Sequence, residues 1–200
     1  MPSRKPRWIL ASASPRRKEI LSRLGLDVLV DPSRSIEPER RAGEDPGRYA
    51  MRMARIKAEE VAQRHRSGLI ISADTIVVIG DQILGKPVDR ADARRMLRAL
   101  SGRWHEVLSG ICLLDCRQRC IRTALGRSRV HFRRLASNEI DWYLDSGEQH
   151  DKAGAYGIQG RAALFIDRIE GCYFNIVGFP IAAFLKLCHA WNIDLIKHLD

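Results

Sequence analysis

The chain has 200 residues, 45% of them hydrophobic and 29% charged, a composition that supports a folded core and excludes a disordered chain. Its net charge is +10, held unevenly: residues 1–66 carry 16 Lys or Arg against 9 Asp or Glu, and the remainder 18 against 15. With aromatics at 6% and no basic run interleaved with them, stacking on nucleic acid is disfavoured and a small polyanion is the expected partner.

In chain order, residues 7–11 read as a short strand, and 15–25 as a helix with Pro15 in its first turn and Gly25 at its end. Arg4, Lys5 and Arg7 precede too few apolar residues for a signal peptide, so a cytoplasmic protein is expected. A second strand at 26–30 gives way to a polar loop over 31–45. Residues 46–67 place Tyr49, Met53, Ile56 and Val61 at helical spacing among charges, an amphipathic helix. The β-branched run 69–79 turns through Gly80-Asp81 into a strand at 82–84. A helix follows at 89–100, then a long antiparallel pair over 107–114 and 121–135 with its turn near 116–119. Residues 137–146 read as a helix with a Ser N-cap, 147–160 as a glycine-rich loop, 163–169 as a strand and 179–191 as a last helix. The uncharged stretch 171–185 is shorter than the ~20 residues of a spanning helix and holds Pro180. An α/β fold with a mixed twisted sheet and flanking helices is expected. Five cysteines, an odd number without close pairs, are expected to be reduced thiols rather than a zinc site.

Four segments could carry chemistry. Ala11-Ser12-Ala13-Ser14-Pro15-Arg16-Arg17-Lys18 joins a strand to a helix, where backbone N–H groups and the helix dipole face outward beside two hydroxyls and three cations. It reads as a phosphate cradle, or as a Ser N-cap with a solvated basic turn. Asp74 interrupts the apolar run 70–78, and a carboxylate there must be exposed at a strand end or held by partners. Such a residue activates water or binds a divalent metal, or it bonds a nearby turn. Gly80-Asp81-Gln82-Ile83-Leu84-Gly85-Lys86-Pro87 has the spacing of a Walker A loop but lacks the hydroxyl after the lysine, because Pro87 stands there. Lys86 then reaches a phosphate from a different kind of loop. In residues 146–160, glycines stand among Asp151, Lys152, Tyr156 and Gln159 and bracket the last two, so that backbone approaches a ligand while side chains read it, or the segment is a plain flexible loop. Only seven of the 34 basic residues are Lys, and Lys57, Lys86 and Lys152 fall on segments that could face one site. No nucleophilic triad is legible, which leaves activated water for hydrolysis, and His105 and His131 read as packed or surface residues.

The order Ser-Ala-Ser-Pro-Arg-Arg, Ala-Asp-Thr, Leu-Gly-Lys-Pro, Leu-Ser-Gly and Asp-Lys-Ala-Gly-Ala-Tyr-Gly-Ile-Gln-Gly resembles the Maf family of nucleoside triphosphate pyrophosphatases from about residue 9 to 184. The resemblance implies one domain over 1–200, two lobes round a central cleft, with a fold like that of inosine triphosphatases. It also implies a divalent metal, magnesium or manganese, and a homodimer. By position, Asp74 matches the proton acceptor, and Arg16, Thr75 and Gln159 match the residues that set base specificity. Ser12, Arg17, Glu37, Lys57, Lys86 and Asp151 match other cleft positions. The last string resembles the branch that hydrolyses dTTP or UTP, with the 7-methyl-GTP branch the nearest alternative substrate class. On this reading Glu37 and Asp74 hold the metal, and Tyr156 with Gln159 reads the pyrimidine. A regulator of septum formation that binds nucleic acid is the alternative from another class.

Overall fold

A computed structural model describes residues 6–199; Arg4 and Lys5 of the basic N-terminal stretch lie outside them. The fold is α/β, with one mixed sheet in the order β2-β1-β3-β5-β6-β7 and β4 paired with β3. The strands are β1 (Trp8–Leu10), β2 (Val28–Val30), β3 (Leu69–Ile79), β4 (Gln82–Leu84), β5 (Trp104–Asp115), β6 (Cys120–Phe132) and β7 (Ile166–Gly171). The helices among the described residues are α1 (Pro15–Arg23), α2 (Pro46–Ala62), α3 (Arg90–Leu100), α4 (Ser137–Asp145), α5 (Tyr173–Val177) and α6 (Ile181–Ala190). None is long and apolar enough to cross a membrane.

Two compact units divide the chain. The first holds the residues up to Asp74, Ser109–Gly126 and those from Gly178; the second holds Thr75–Leu108 and Arg127–Val177.

In the first unit, β1 pairs in parallel with β2 and β3, and helix α2 supplies one wall of the core. Asp45 caps α2 by accepting the Arg48 N–H at 3.0 Å, with Pro46 opening the first turn. The buried face of α2 is small: Ala54, Ala58, Val61 and Ala62 pack on Ile9, Ala11, Ile70, Cys112 and Leu114. Small side chains let the helix backbone approach the sheet. At Gly110 on β5 a Cβ would stand 2.3 Å from the Ala50 carbonyl oxygen, so that contact admits glycine alone.

The second unit has its own core. Met96, Leu97 and Leu100 of α3, Ile140, Tyr143 and Leu144 of α4, and Val107, Val130 and Phe132 of the sheet surround Tyr156 and Phe165. Strands β3 and β4 form the expected hairpin, with Ile79 opposite Gln82 and Gly80 left-handed at φ 57°. Strand β7 pairs antiparallel with β6.

Two expectations are corrected and one helix is added. Residues 161–165 form a 3-10 turn and the strand starts at Ile166. Helix α5 occupies 173–177, inside the uncharged stretch. The N-cap of α4 is Ala136, not Ser137; its N–H is taken by the Glu139 carboxylate at 2.8 Å, which Arg133 holds in place at 2.6 Å. All five cysteines are free thiols, and Cys112, Cys116 and Cys188 are buried.

Candidate functional site

In the first unit, Ser72 and Asp74 lie two residues apart on β3, so strand alternation puts both on one face. Helix α2 covers that face. The Ser72 hydroxyl donates to the Ala54 carbonyl, and one turn further along α2 the Lys57 ammonium donates to Asp74 Oδ1 at 2.6 Å. The same ammonium reaches Glu37 Oε1 at 2.7 Å, so the polar loop between β2 and α2 closes the group. Asp74 and Lys57 are well shielded, with side chains 12% and 15% exposed, whereas Glu37 is 55% exposed. The aspartate inside the apolar run is therefore held by a partner, as a buried carboxylate must be. Tyr49, Met53 and Lys57 recur at four-residue spacing along one stripe of α2. Burial, followed by the fields of Asp74 and Glu37, raises the pKa of the Tyr49 phenol.

At the end of β1 the chain folds through Ser12 into α1. The buried Ser12 hydroxyl accepts the Ser14 N–H at 3.2 Å and Arg17 Nη1 at 3.0 Å, and Arg17 Nε donates to the Gly178 carbonyl at 2.9 Å. Ser14 occupies the N-cap position but its side chain makes no capping bond, so the N-cap reading of this segment is not the one adopted. Arg17 ties the turn to Gly178, and desolvation holds its pKa below the usual arginine value while Asp74 acts the other way. Arg16 stands half-buried in the first turn of α1. There the positive end of the α1 dipole favours anionic oxygen.

A cation site needs converging donors. Among the described residues no group of three or more His, Cys, Asp or Glu gathers round one point. What the structure does gather is a pair: the Glu37 and Asp74 carboxylates meet on the Lys57 ammonium. A pair fits a hard cation of magnesium type, which takes one or two carboxylates beside phosphate and water oxygens.

In the second unit, Thr75 follows Asp74 on β3, and alternation turns it off the face that carries Ser72 and Asp74. Three sequence-predicted segments meet at Gly154. Its N–H donates to the Gly85 carbonyl beside Lys86 at 3.0 Å, and a Cβ on it would lie 3.0 Å from the Val77 side chain of β3, at a φ of 68°. Gly157 and Gly160 are pressed in the same way on Lys152 and Glu148. Glu148 also accepts the Arg161 N–H at 2.9 Å. These glycines let the loop pack closely on neighbouring side chains.

Lys86, Asp151 and Gln159 are exposed. Lys152 turns back on its own loop, donating to the Glu148 carbonyl at 2.6 Å and to Asp151 at 2.5 Å. The sequence places Tyr156 among groups that read a ligand; its ring lies instead in the core, 6% exposed, with its hydroxyl 2.8 Å from His105 Nε2. Sequence reasoning missed Tyr49, Gly178 as an acceptor, and the pairing of the packed His105 with Tyr156. The four-residue stripe on α2 was a usable signal for Tyr49, whereas nothing in the spacing pairs His105 with Tyr156.

Comparison with known proteins adds the family. The Maf-like protein family matches residues 7–191. A dTTP/UTP pyrophosphatase of Syntrophomonas wolfei subsp. wolfei is 48% identical over 173 residues, covering 86% of this chain and 91% of its own length. A dTTP/UTP pyrophosphatase of Pyrococcus furiosus is 44% identical over 179 residues, with 90% and 92% covered. One of Acetivibrio thermocellus is 43% identical over 197 residues, with 96% and 98% covered.

Proposed function

The chain belongs to the Maf-like protein family, and from that premise we propose that it is a nucleoside triphosphate pyrophosphatase hydrolysing dTTP and UTP to the monophosphate and pyrophosphate. The observation that carries the reading is the shielded group of Asp74, Lys57 and Glu37, placed in the same unit as the basic turn that opens α1. Its chemistry suits hydrolysis by water. Asp74 accepts a proton from the attacking water, whose oxygen bonds to the α-phosphorus as the bond to the bridging oxygen breaks and pyrophosphate leaves. Lys57 holds the Asp74 carboxylate in place and offsets its charge. Arg16 and the start of α1 receive phosphate oxygens, while Ser12 and Arg17 fix the turn that presents them.

Glu37 and Asp74 are also the side chains that would hold a divalent cation, magnesium or manganese. Bound there, it would supply charge neutralisation for the phosphate oxygens. Base selection is assigned to Gln159 and Thr75, with Lys86 and Asp151 as further binding residues. Gln159 suits the task because an exposed amide both donates and accepts, which a pyrimidine carbonyl and N–H require. Tyr156 is given no direct contact with the base, in keeping with its burial.

The test is pyrophosphate release from a panel of nucleoside triphosphates with magnesium, manganese or EDTA, beside Asp74→Asn. Release from dTTP and UTP that depends on the metal and falls about 100- to 10,000-fold in the variant is the expected result for loss of a general base. Release mainly from 7-methyl-GTP would move the protein to another substrate class, and silence on every nucleotide would overturn the reading.

A further inference from the structure

His105 is 2% exposed in β5. Its Nε2 lies 2.8 Å from the Tyr156 hydroxyl. Three rings lock the pair: His105 meets Tyr156 edge-on at 5.4 Å and Phe132 at 5.0 Å, and Phe132 meets Tyr156 at 4.8 Å. Burial pushes the His105 imidazole down to a pKa of about 4, so at neutral pH this is a bond between uncharged groups.

Why a polar pair stands here is the question the site raises. Leucine or phenylalanine would fill the same space without the cost of burying an imidazole. A buried hydrogen bond adds direction: it fixes how deep the Tyr156 ring sits and which way it is turned, where apolar packing alone allows sliding. The chain beyond Tyr156 alternates, with Ile158 buried and Gln159 exposed. Just before it, Gly154 and Ala155 are both left-handed, at φ 68° and 61°. A non-glycine residue holds that conformation only where its surroundings determine it. Gly154 is anchored on one side by Gly85, and Tyr156 is the anchor on the other.

We infer that His105 is a positioning residue: by holding the Tyr156 hydroxyl in the core it sets where Gln159 stands, and thereby how strongly a uracil or thymine base is preferred. The inference rests on the proposed function, in which Gln159 selects the base.

The test compares wild type, His105→Leu, His105→Gln, Tyr156→Phe and the His105→Leu/Tyr156→Phe double variant on dTTP, UTP and CTP, with a melting curve for each. A displaced reading group loses binding geometry, so kcat/KM for dTTP and UTP should fall about 10-fold in His105→Leu, mostly through KM. CTP should change less, so that the preference narrows. His105→Gln, whose amide can meet the Tyr156 hydroxyl, should restore the preference, and the double variant should be no worse than either single one, as for two partners in one bond. Tyr156→Phe removes one oxygen and keeps the ring, so it carries the test even if His105→Leu does not fold. Equal proportional losses on all three nucleotides, or an unchanged preference in Tyr156→Phe, would overturn the inference and leave the proposed function standing. A wild-type chain that releases pyrophosphate from none of them would overturn both.

Discussion

Lys57 places one ammonium against two carboxylates of unequal exposure, and that asymmetry separates stability from turnover. Removing the ammonium strands the Asp74 charge in a shielded place, whereas Glu37, 55% exposed, regains water. Lys57→Met should therefore cost about 2–3 kcal/mol, below the full penalty for breaking a buried pair because neither side chain is wholly enclosed. Glu37→Gln should cost no more than about 1 kcal/mol, as for a surface pair. The informative variant is Lys57→Met/Asp74→Asn, which removes both charges of the shielded ion pair. Urea unfolding should show it more stable than Lys57→Met, while pyrophosphate release stays as low as in Asp74→Asn. A double variant no more stable than Lys57→Met would mean that the Asp74 charge is not what destabilises the single change.

Elements hold these residues in place, and α2 does so through a contact that tolerates no added atom. Gly110→Ala would set a methyl group 2.3 Å from the Ala50 carbonyl oxygen and 2.5 Å from the Met51 nitrogen, against the backbone of α2. Overpacking of this kind costs about 2–3 kcal/mol. Because α2 carries Lys57, the shift that relieves the clash should also lower turnover, measurable as a loss of kcat in the fraction that stays folded. Full activity with unchanged stability would show that α2 moves freely over β5. How far such elements were legible depended on whether local chemistry or tertiary contact decided them. Strand β3 is bounded as the sequence implies because a β-branched run lies between Gly68 and Gly80. The start of β7 was missed because Ala162 to Phe165 is apolar in either conformation, and the burial of Ala162 and Phe165, three residues apart, with Ala163 and Leu164 exposed, goes with the 3-10 turn. The cap of α4 was misplaced because Glu139 reaches back to Ala136 and makes a serine cap unnecessary. In the site, the acidic and basic residue types were legible one by one. Their convergence was not: Glu37, Lys57 and Asp74 lie on a loop, a helix and a strand, and no spacing in one chain segment encodes that meeting. Tyr156 is buried although the glycines around it suggested an open loop, because Gly157 and Gly160 let the loop close on Lys152 and Glu148 while Gly154 packs on Val77 of β3.

Stability against pH belongs to the whole molecule, since each group contributes by the difference between its folded and unfolded pKa. Burial holds His105 at about 4 against an ordinary 6.5, so the folded state favours the neutral ring. Its contribution is complete above pH 6.5. As pH falls from 6.5 towards 4 the unfolded chain takes up a proton that the folded chain refuses, and stability drops by at most about 3 kcal/mol. Below pH 4 both states are protonated and this group adds no further loss. The carboxylates act lower down: hydrogen bonds from Arg52 hold Glu44 at about 2 against 4.5, and those from Arg133 do the same for Glu139. Their contributions are complete above pH 4.5 and are lost as pH falls from there towards 2. The two windows barely overlap, so they can be assigned by experiment. Urea unfolding of the wild type from pH 8 to pH 3 should show a decline that begins near pH 6.5. In His105→Gln, which keeps an amide near Tyr156 but cannot titrate, stability should stay level down to about pH 4.5 and fall only below it. If the variant declines from pH 6.5 as the wild type does, the upper window belongs to another group, and the buried imidazole is not the element of this fold that senses mild acid.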